Sequence, residues 1–481
     1  MTISDPHTGD ERGGEPDDAE TAVDTDSERA VCKPTLDTAP TPPGPRGLPV
    51  LGSTISLARD AIAFERGLRE YGPVVGYSAF GERFAVMYDP EIVEDVLVTR
   101  NDAFSKGEFE QEFGELIAPD GLVFAEGDQW RRQRLALQSA FTPARIRSYT
   151  QVMVDETAEL VGSWANATEI ELSDTLSTLT LRILTQALFD LDLDATRGAV
   201  VREAAESIDA MVDRMGLISF LPEWAPRTPT ERRHDRAMAD LDDLVDTLIA
   251  TRRDETGERD DLLSMLVDAE YPDGTQMAPT VVRDQLVTFL FAGHETTATT
   301  LTYACWLLAG HPGVQDRLRT EATTLDGPLG FDDLSDLPYT EAVVRETLRL
   351  YPPVYSLYRQ PDNPLVLGGY RIDPDVTVQL PSVALQRDDR YWDGPAQFRP
   401  TRWLDEDRNI TDNAPDRPDY AYFPFGGGPR HCIGMRFAMT ELKLVLATMC
   451  RRVEFERVTD ELDISMGLTL DPGRVTVGVN R

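Results

Sequence analysis

One long apolar segment constrains the fold of this chain more than any other feature. Residues 281–308 are apolar on nearly all sides in their middle, and a helix without a polar face has to be buried. Helical periodicity dominates the rest of the chain, and the strand-like segments are few and short. The sequence therefore predicts a mainly α protein with minor β structure and a buried helix at its centre.

Two more helices and two β regions can be placed. Residues 339–350 predict a helix that ends before Pro352 and Pro353. Apolar residues at helical spacing over 435–449 predict a helix that faces a core. Alternation over residues 74–88, around Gly81, predicts a hairpin, and residues 365–380 form a second β-like region.

The N-terminal segment differs from the rest of the chain in composition. Residues 1–40 are acidic and poor in large apolar side chains, so they predict a disordered tail, followed by one domain over 41–481. There is no signal peptide and no apolar run long enough for a membrane anchor. Four cysteines without a Cys-x-x-Cys pair indicate a reducing compartment, and we expect a cytoplasmic protein.

The charge of the chain is strongly negative. Asp and Glu number 84 against 47 Lys and Arg, which gives a formal net charge of −37 and makes nucleic-acid binding unlikely to be its function. Either the acid keeps the protein soluble in concentrated salt, or it serves a basic partner. The acid is spread along the chain, which favours the first interpretation. With only three lysines, the composition resembles that of proteins from halophilic archaea.

Residues 425–434 carry the strongest chemical signal. They read Phe-Gly-Gly-Gly-Pro-Arg-His-Cys-Ile-Gly and precede the last predicted helix. A helix N-terminus offers unpaired N–H groups and positive potential, which stabilise a thiolate at Cys432. The glycines allow close approach to a flat cofactor, and Phe425 can keep the sulfur dry. The alternative is a lone structural cysteine beside a glycine-rich turn.

This ten-residue pattern resembles the haem-binding signature of the cytochrome P450 family, and the resemblance extends from about Pro42 onward. It implies the cytochrome P450 fold, with haem b between a long distal helix and a proximal loop and helix. It also implies that Cys432 is the axial iron ligand and that Phe425 and Gly434 line the cofactor.

A Glu-x-x-Arg pair on the helix before Pro352 matches a second family motif. Glu346 and Arg349 are three residues apart, so they share one helix face and can pair. By resemblance, Arg402 completes a buried triad with them. An exposed ion pair of little energetic value is the alternative for Glu346 and Arg349 taken alone.

The buried helix carries the polar sequence Ala292-Gly-His-Glu-Thr-Thr297, which is costly inside an apolar helix without partners or a function. By resemblance, Ala292 and Gly293 lie over the haem, and Gly293 leaves room for dioxygen. Thr296 and Glu295 match the catalytic alcohol and acid that deliver protons. A structural alternative is that Thr296 bonds back to a carbonyl one turn earlier.

The two haem propionates need cationic or N–H donors. Trp130 and Arg134 are spaced i and i+4 on one helix face and resemble the family's Trp-x-x-x-Arg contact. Arg359 and Arg430 match further propionate contacts. Arg131 and Arg132 fall on other faces, so we expect them to be solvated or to face a partner.

The resemblance implies a monooxygenase that inserts oxygen from O2 into a hydrophobic substrate. We see no flavin or nicotinamide module, so electrons are expected from a ferredoxin with its reductase. That partner would dock near Arg430, Arg436 and Lys443. A peroxide-driven peroxygenase and a haem sensor or electron carrier are alternatives that the Glu295 and Thr296 pair disfavours.

The substrate remains open between a fatty acid and an isoprenoid or carotenoid. Phe291, Ala292 and residues 354–357 are expected to line an apolar pocket. Residues 221–227 and the pair Arg232-Arg233 resemble fatty-acid and carotenoid hydroxylases, or they cap the access channel.

Overall fold

The computed structural model describes most of the chain. The described residues are 34–166, 168–192, 194–218, 226–254, 261–269, 271, 274–411 and 417–481. Most of the tail expected over 1–40, and most of the segment 221–227, lie outside them. Residues 34–40 run against a strand, where the Arg371 N–H donates to Pro40 O at 2.8 Å.

Helices form most of the described structure. The α-helices are Thr54–Arg59 (α1), Ala61–Leu68 (α2), Pro90–Glu94 (α3), Glu108–Glu115 (α4), Gly127–Leu137 (α5), Pro143–Ser163 (α6), Leu172–Phe189 (α7), Ala195–Ile218 (α8), Pro229–Asp254 (α9), Leu262–Val267 (α10), Pro279–Ala309 (α11), Pro312–Thr323 (α12), Pro338–Leu350 (α13), Ser382–Leu385 (α14) and Met435–Cys450 (α15).

The strands are short and form small sheets. They are Val74–Ala79 (β1), Glu82–Met87 (β2), Phe104–Ser105 (β3), Glu169–Glu171 (β4), Leu357–Pro361 (β5), Leu365–Leu367 (β6), Tyr370–Ile372 (β7), Val376–Leu380 (β8), Glu454–Arg457 (β9), Ser465–Met466 (β10), Leu470–Asp471 (β11) and Thr476–Asn480 (β12).

Helix α11 is the centre of the fold, as the sequence predicts. It runs for 31 residues and is buried along most of its length. It packs along α7 and also contacts α9, α13 and α15. Its apolar side chains belong to one large core that those helices share. A helix buried on all sides presents few positions to open space, so any exposed position on it is informative.

The largest sheet borders this helical body. Its strand order is β1-β2-β8-β5-β3, in which β2 and β8 are parallel and the other pairs are antiparallel. Tyr358 of β5 pairs directly with Gln379 of β8. In this order, β8 alone separates β5, which carries Arg359, from the hairpin of β1 and β2.

The elements predicted from the sequence are confirmed. The three predicted helices correspond to α11, α13 and α15, the hairpin to β1 and β2, and the second β region to β6, β7 and β8. Among the described helices, none has the length and apolar character needed to cross a lipid bilayer.

Candidate active site

The loop before α15 is folded back on itself so that Cys432 stands at a helix N-terminus. The Cys432 N–H donates to Phe425 O at 2.9 Å, which closes the loop. Gly428 has φ +62°, and a Cβ there would lie 1.9 Å from Leu97 O, so a glycine is required at this turn. The loop geometry therefore depends on the glycines that the sequence places before the cysteine.

The surroundings of the sulfur act on its pKa in opposite directions. Burial raises the pKa of the Cys432 thiol, whereas the N–H groups of Gly434 and Met435 and the Arg134 guanidinium favour the thiolate. Cys432 nevertheless has exposed surface. A sulfur that is both desolvated and accessible faces an enclosed space inside the molecule.

The same space reaches α11. A Cβ on Gly434 would lie 3.8 Å from Phe141, and the Phe141 ring stacks on Phe289 of α11 with centroids 5.7 Å apart. One turn further along this buried helix, Ala292 is exposed, and Glu295 and Thr296 are partly exposed. The exposed cysteine and the exposed stretch of a buried helix fit opposite walls of a slot for a flat cofactor.

Gly293 packs against α7, where open space was expected. A Cβ at this position would lie 2.7 Å from Leu184 Cδ1, on α7. The glycine therefore lets α7 and α11 pack closely, which corrects the expectation that its missing side chain leaves room for dioxygen. Ala292, a small residue, is the exposed one.

Thr296 makes the bond that the structural alternative describes. Its hydroxyl donates to Ala292 O at 2.9 Å, one turn earlier. The side chain is still only half-buried, so the hydroxyl oxygen remains able to accept a hydrogen bond from water. His294 is fully buried, and burial lowers its pKa to about 4, so it does not face the slot.

Glu295 is a buried acid without a cationic partner among the groups that act on it. Burial, followed by repulsion from Asp209, Asp471 and Glu206, raises the pKa of Glu295 to about 8. His294 Nε2 lies 3.6 Å from Glu295 Oε2. The His294 imidazole is neutral at pH 7, because burial lowers its pKa to about 4. Glu295 can therefore hold a proton at neutral pH.

Several cations meet between α4, α5 and the thiolate loop. Arg430 Nη2 lies 2.9 Å from Glu126 Oε2, and its guanidinium stacks 4.6 Å from the Trp130 ring. Arg359 Nη1 lies 3.7 Å from Glu110 Oε2, an oxygen that is buried without a hydrogen-bond partner among the described residues.

Lys106 belongs to the same group and was missed in the sequence. Its ammonium lies 2.9 Å from Glu110 Oε1, it is 8% exposed, and burial lowers its pKa. Arg359 and Arg430 both act on that pKa, which puts three cations close together. The available signal was rarity, since Lys106 is one of three lysines in an arginine-rich chain. Such a cluster suits the two carboxylates of haem.

Arg134 lies on the other side of the loop. Its Nη1 donates to His431 O at 2.8 Å, and it is among the groups that act on the Cys432 thiol. It therefore fixes the residue before the cysteine in addition to placing a positive charge near the cofactor slot.

The Glu346 triad is complete. Glu346 Oε1 accepts from Arg349 Nη2 at 2.8 Å, and from Arg402 Nε and the Arg399 N–H at 2.9 Å. Its Oε2 accepts from Arg349 Nε at 2.9 Å and from Trp403 Nε1 at 3.0 Å. Glu346 and Arg349 are 0% exposed, which rules out the exposed ion pair.

The expected docking cations need correction. Lys443 is buried, and its ammonium donates to Glu341 Oε2 at 2.7 Å and to Leu334 O at 2.8 Å. Arg430 is turned inward, as described above, and Arg132 donates to Thr275 Oγ1 at 2.7 Å. Arg131 and Arg436 are exposed. Sequence adjacency to Cys432 did not reveal which side chains the helices turn inward.

Comparisons with known proteins point to one family over most of the chain. The family model described as cytochrome P450 matches residues 42–479. Cyclooctat-9-en-7-ol 5-monooxygenase of Streptomyces melanosporofaciens is 34% identical over 88% of this chain and 93% of its own length. Pentalenene oxygenase of Streptomyces avermitilis is 32% identical over 90% of this chain and 95% of its own length.

A solved structure is similar over nearly the whole chain. It is a cyanobacterial protein, described as retinoic acid bound CYP120A1, with a TM-score of 0.81 and 25% sequence identity. The alignment covers 92% of this chain and 100% of that protein.

Proposed function

Since the chain belongs to the cytochrome P450 family, we propose that this haem-dependent monooxygenase oxygenates a terpenoid, with electrons from a ferredoxin-type partner. The observation that carries the reaction is the exposure of Cys432 at a helix N-terminus and of Ala292 on an otherwise buried helix, the two surfaces that would enclose a flat cofactor. When bound, haem supplies the activation of O2 for insertion of one oxygen atom into a C–H bond.

The proximal residues bind and shield the cofactor. Cys432 binds the iron, and the N–H groups of Gly434 and Met435 hold its charge. Phe425 covers the sulfur side, and its carbonyl anchors the Cys432 N–H. The buried Glu346 triad keeps this side rigid.

The cationic group binds the propionates. We assign this role to Arg359, Arg430 and Lys106, with Trp130 packed against Arg430 and Arg134 beside the thiolate loop. Glu110 and Glu126 hold these cations in place, so the propionates enter a site where the donors are already oriented.

The distal residues move protons. A protonated Glu295 can give its proton to a water molecule hydrogen-bonded to the Thr296 oxygen, because its pKa of about 8 makes it an acid at neutral pH. Thr296 keeps its own proton on Ala292 O and offers its oxygen as an acceptor.

The names of the relatives favour a terpenoid over a fatty acid. The two Streptomyces proteins are named for cyclooctat-9-en-7-ol and pentalenene, and a 29% identical bovine relative is a lanosterol 14-alpha demethylase.

A spectroscopic experiment tests this function. The purified protein is reduced with dithionite, exposed to carbon monoxide and compared with Cys432→Ser. We expect a strongly red-shifted Soret band in the parent protein and none in the variant. Pentalenene and palmitic acid are then titrated against the ferric spectrum and offered with a ferredoxin, its reductase and NADPH. A shift and product with palmitic acid alone would overturn the terpenoid proposal, and product with peroxide alone would favour a peroxygenase.

The halophilic interpretation of the charge is a separate proposal. At −37, repulsion between exposed carboxylates destabilises the compact state. Raising KCl from about 0.1 M to about 1 M shortens the Debye length from about 10 Å to about 3 Å. We therefore expect the melting temperature to rise with KCl, and a flat or falling curve would contradict a halophilic protein.

A further inference from the structure

Another carboxyl group that is desolvated although partly exposed lies away from the slot described above, between α2 and the largest sheet. Burial raises the pKa of Glu65 to about 7, and no cation is among the groups that act on it. Burying a carboxyl group without a cation is costly, so its retention calls for a ligand or a partner. The iron, the propionates and the proton path do not involve it.

One oxygen of Glu65 is held by a fixed amide. Gln379 Nε2 donates to Glu65 Oε1 at 2.5 Å and lies 3.1 Å from Ser356 Oγ. Its Oε1 accepts from Tyr77 OH at 3.0 Å, so the orientation of the amide is determined. Gln379 is 2% exposed, which makes this a built polar site at the centre of the sheet.

The other oxygen of Glu65 is free. Among the described residues, no hydrogen bond reaches Glu65 Oε2. This oxygen is nevertheless not fully buried. The side chain is partly exposed although its pKa shows strong desolvation. As at Cys432, that combination indicates an atom that faces an enclosed space.

An aromatic wall begins beside this carboxylate and crosses the sheet to α4 and β5. Ring centroids are 5.3 Å apart for Phe64 and Tyr77, and 4.9 Å for Tyr77 and Phe84. They are 5.6 Å apart for Phe84 and Phe109, and 5.0 Å for Phe109 and Tyr358. The series ends on α4 and β5, the elements that also carry Glu110 and Arg359. The wall therefore suits an elongated apolar ligand.

The negative charge of Glu65 determines whether the ligand can carry a carboxylate or a hydroxyl group at this position. A carboxylate placed at Glu65 Oε2 would meet like charge with no cation to offset it. A hydroxyl group can donate to that oxygen, and a hydrogen bond to a charged acceptor is stronger than a neutral one. The site therefore accepts an alcohol and opposes an acid.

We propose that Glu65 binds a hydroxyl group at the end of the substrate remote from the haem, so that the preferred substrate is a terpenoid alcohol. This inference rests on the proposed function, because it assumes that a terpenoid occupies the pocket. It distinguishes between the two substrate classes that the sequence leaves open.

The test uses the purified holoenzyme and its ferric Soret shift, which reports binding without turnover. Geranylgeraniol, geranylgeranoic acid and the hydrocarbon phytane are titrated at a pH above the pKa of Glu65. We expect the alcohol to bind more tightly than the acid. Glu65→Gln should raise the dissociation constant of the alcohol about tenfold and leave that of phytane unchanged. Glu70→Gln, an exposed neighbour close along the chain, is the matched control and should change neither.

The possible outcomes separate the two proposals. Equal affinity of the parent protein and Glu65→Gln for geranylgeraniol would overturn the role of Glu65 but leave a terpenoid substrate in place. No shift with any of the three compounds would overturn both. If Glu65→Gln loses the red-shifted carbon monoxide band, Tyr77→Phe replaces it. That variant frees the Gln379 amide, and we expect a smaller but selective loss of alcohol affinity; no loss would count against the proposal.

Discussion

Two desolvated glutamates, one assigned to the proximal side of the cofactor and one to the distal side, have opposite surroundings in this fold. Glu346 of α13 receives five donors from two arginine side chains, a backbone N–H and an indole. Glu295 of α11 has no cation among the groups that act on it and three carboxylates nearby. Both are desolvated, so their difference lies in the partners that the chain supplies.

This difference matches what each side has to do. A carboxylate with all its lone pairs occupied by donors is fixed in geometry. A carboxyl group with its pKa raised to about 8 can both lose and regain a proton near neutral pH. The fully hydrogen-bonded Glu346 keeps the thiolate loop in place, whereas Glu295, which has no cationic partner among the groups that act on it, is free to react. Glu65 follows the second pattern, which is why we assign it to a ligand.

The largest effect is expected from removing the fully hydrogen-bonded carboxylate of Glu346. Glu346→Ala leaves Arg349, which is 0% exposed, buried without its counter-charge. Breaking a buried pair in this way costs about 3–5 kcal/mol, so we expect a sharp fall in the free energy of unfolding and poor haem incorporation. Urea denaturation and the carbon monoxide spectrum measure both.

A control separates burial from charge in that experiment. Asp393 pairs with Arg399 at 2.9 Å, but its side chain is 86% exposed. Asp393→Ala should leave stability and haem content close to the parent protein, because exposed pairs contribute little. Similar losses in the two variants would mean that the Glu346 network has no special role.

The next effect concerns catalysis by Glu295. Glu295→Gln keeps the size of the side chain but removes the proton, and loss of a general acid lowers turnover about a hundredfold or more. We expect stable folding, intact substrate binding and low product formation per NADPH consumed. Glu206→Gln changes an exposed carboxylate that acts on Glu295 and should affect turnover much less. Normal turnover by Glu295→Gln would remove Glu295 from the proton path.

The sequence predicted the Glu346 side better than the other one. Pairing of Glu346 with Arg349 follows from their i, i+3 spacing, and the role of Arg402 follows from the family motif. Spacing along a helix is local information. The donors Arg399 N–H and Trp403 Nε1 come from the turn over Pro400–Trp403, and their arrival depends on tertiary packing.

Side-chain direction is what the sequence could not provide. Gly293 faces Leu184, Lys443 faces Glu341, and Lys106 joins Arg359 beside the slot. Each outcome depends on which neighbouring element approaches from outside the local segment. The Glu65 site was missed for the same reason, since Gln379 and Ser356 reach it from strands about 300 residues away in the chain.

The last prediction compares stability across pH. Glu295 has a pKa of about 8 in the folded protein and an ordinary value of 4.5, so the folded state holds a proton that the unfolded state has already lost. Unfolding stability therefore falls as pH rises from about 4.5 to about 8 and shows no further loss above that range. Glu295→Gln lacks this contribution, while other groups, including Glu65, titrate equally in both proteins. We expect the stability of the variant relative to the parent to rise across this window and then level off, as measured by urea midpoints at each pH. A constant difference would mean that the Glu295 carboxyl group is not desolvated, and the contrast with Glu346 would then be one of geometry alone.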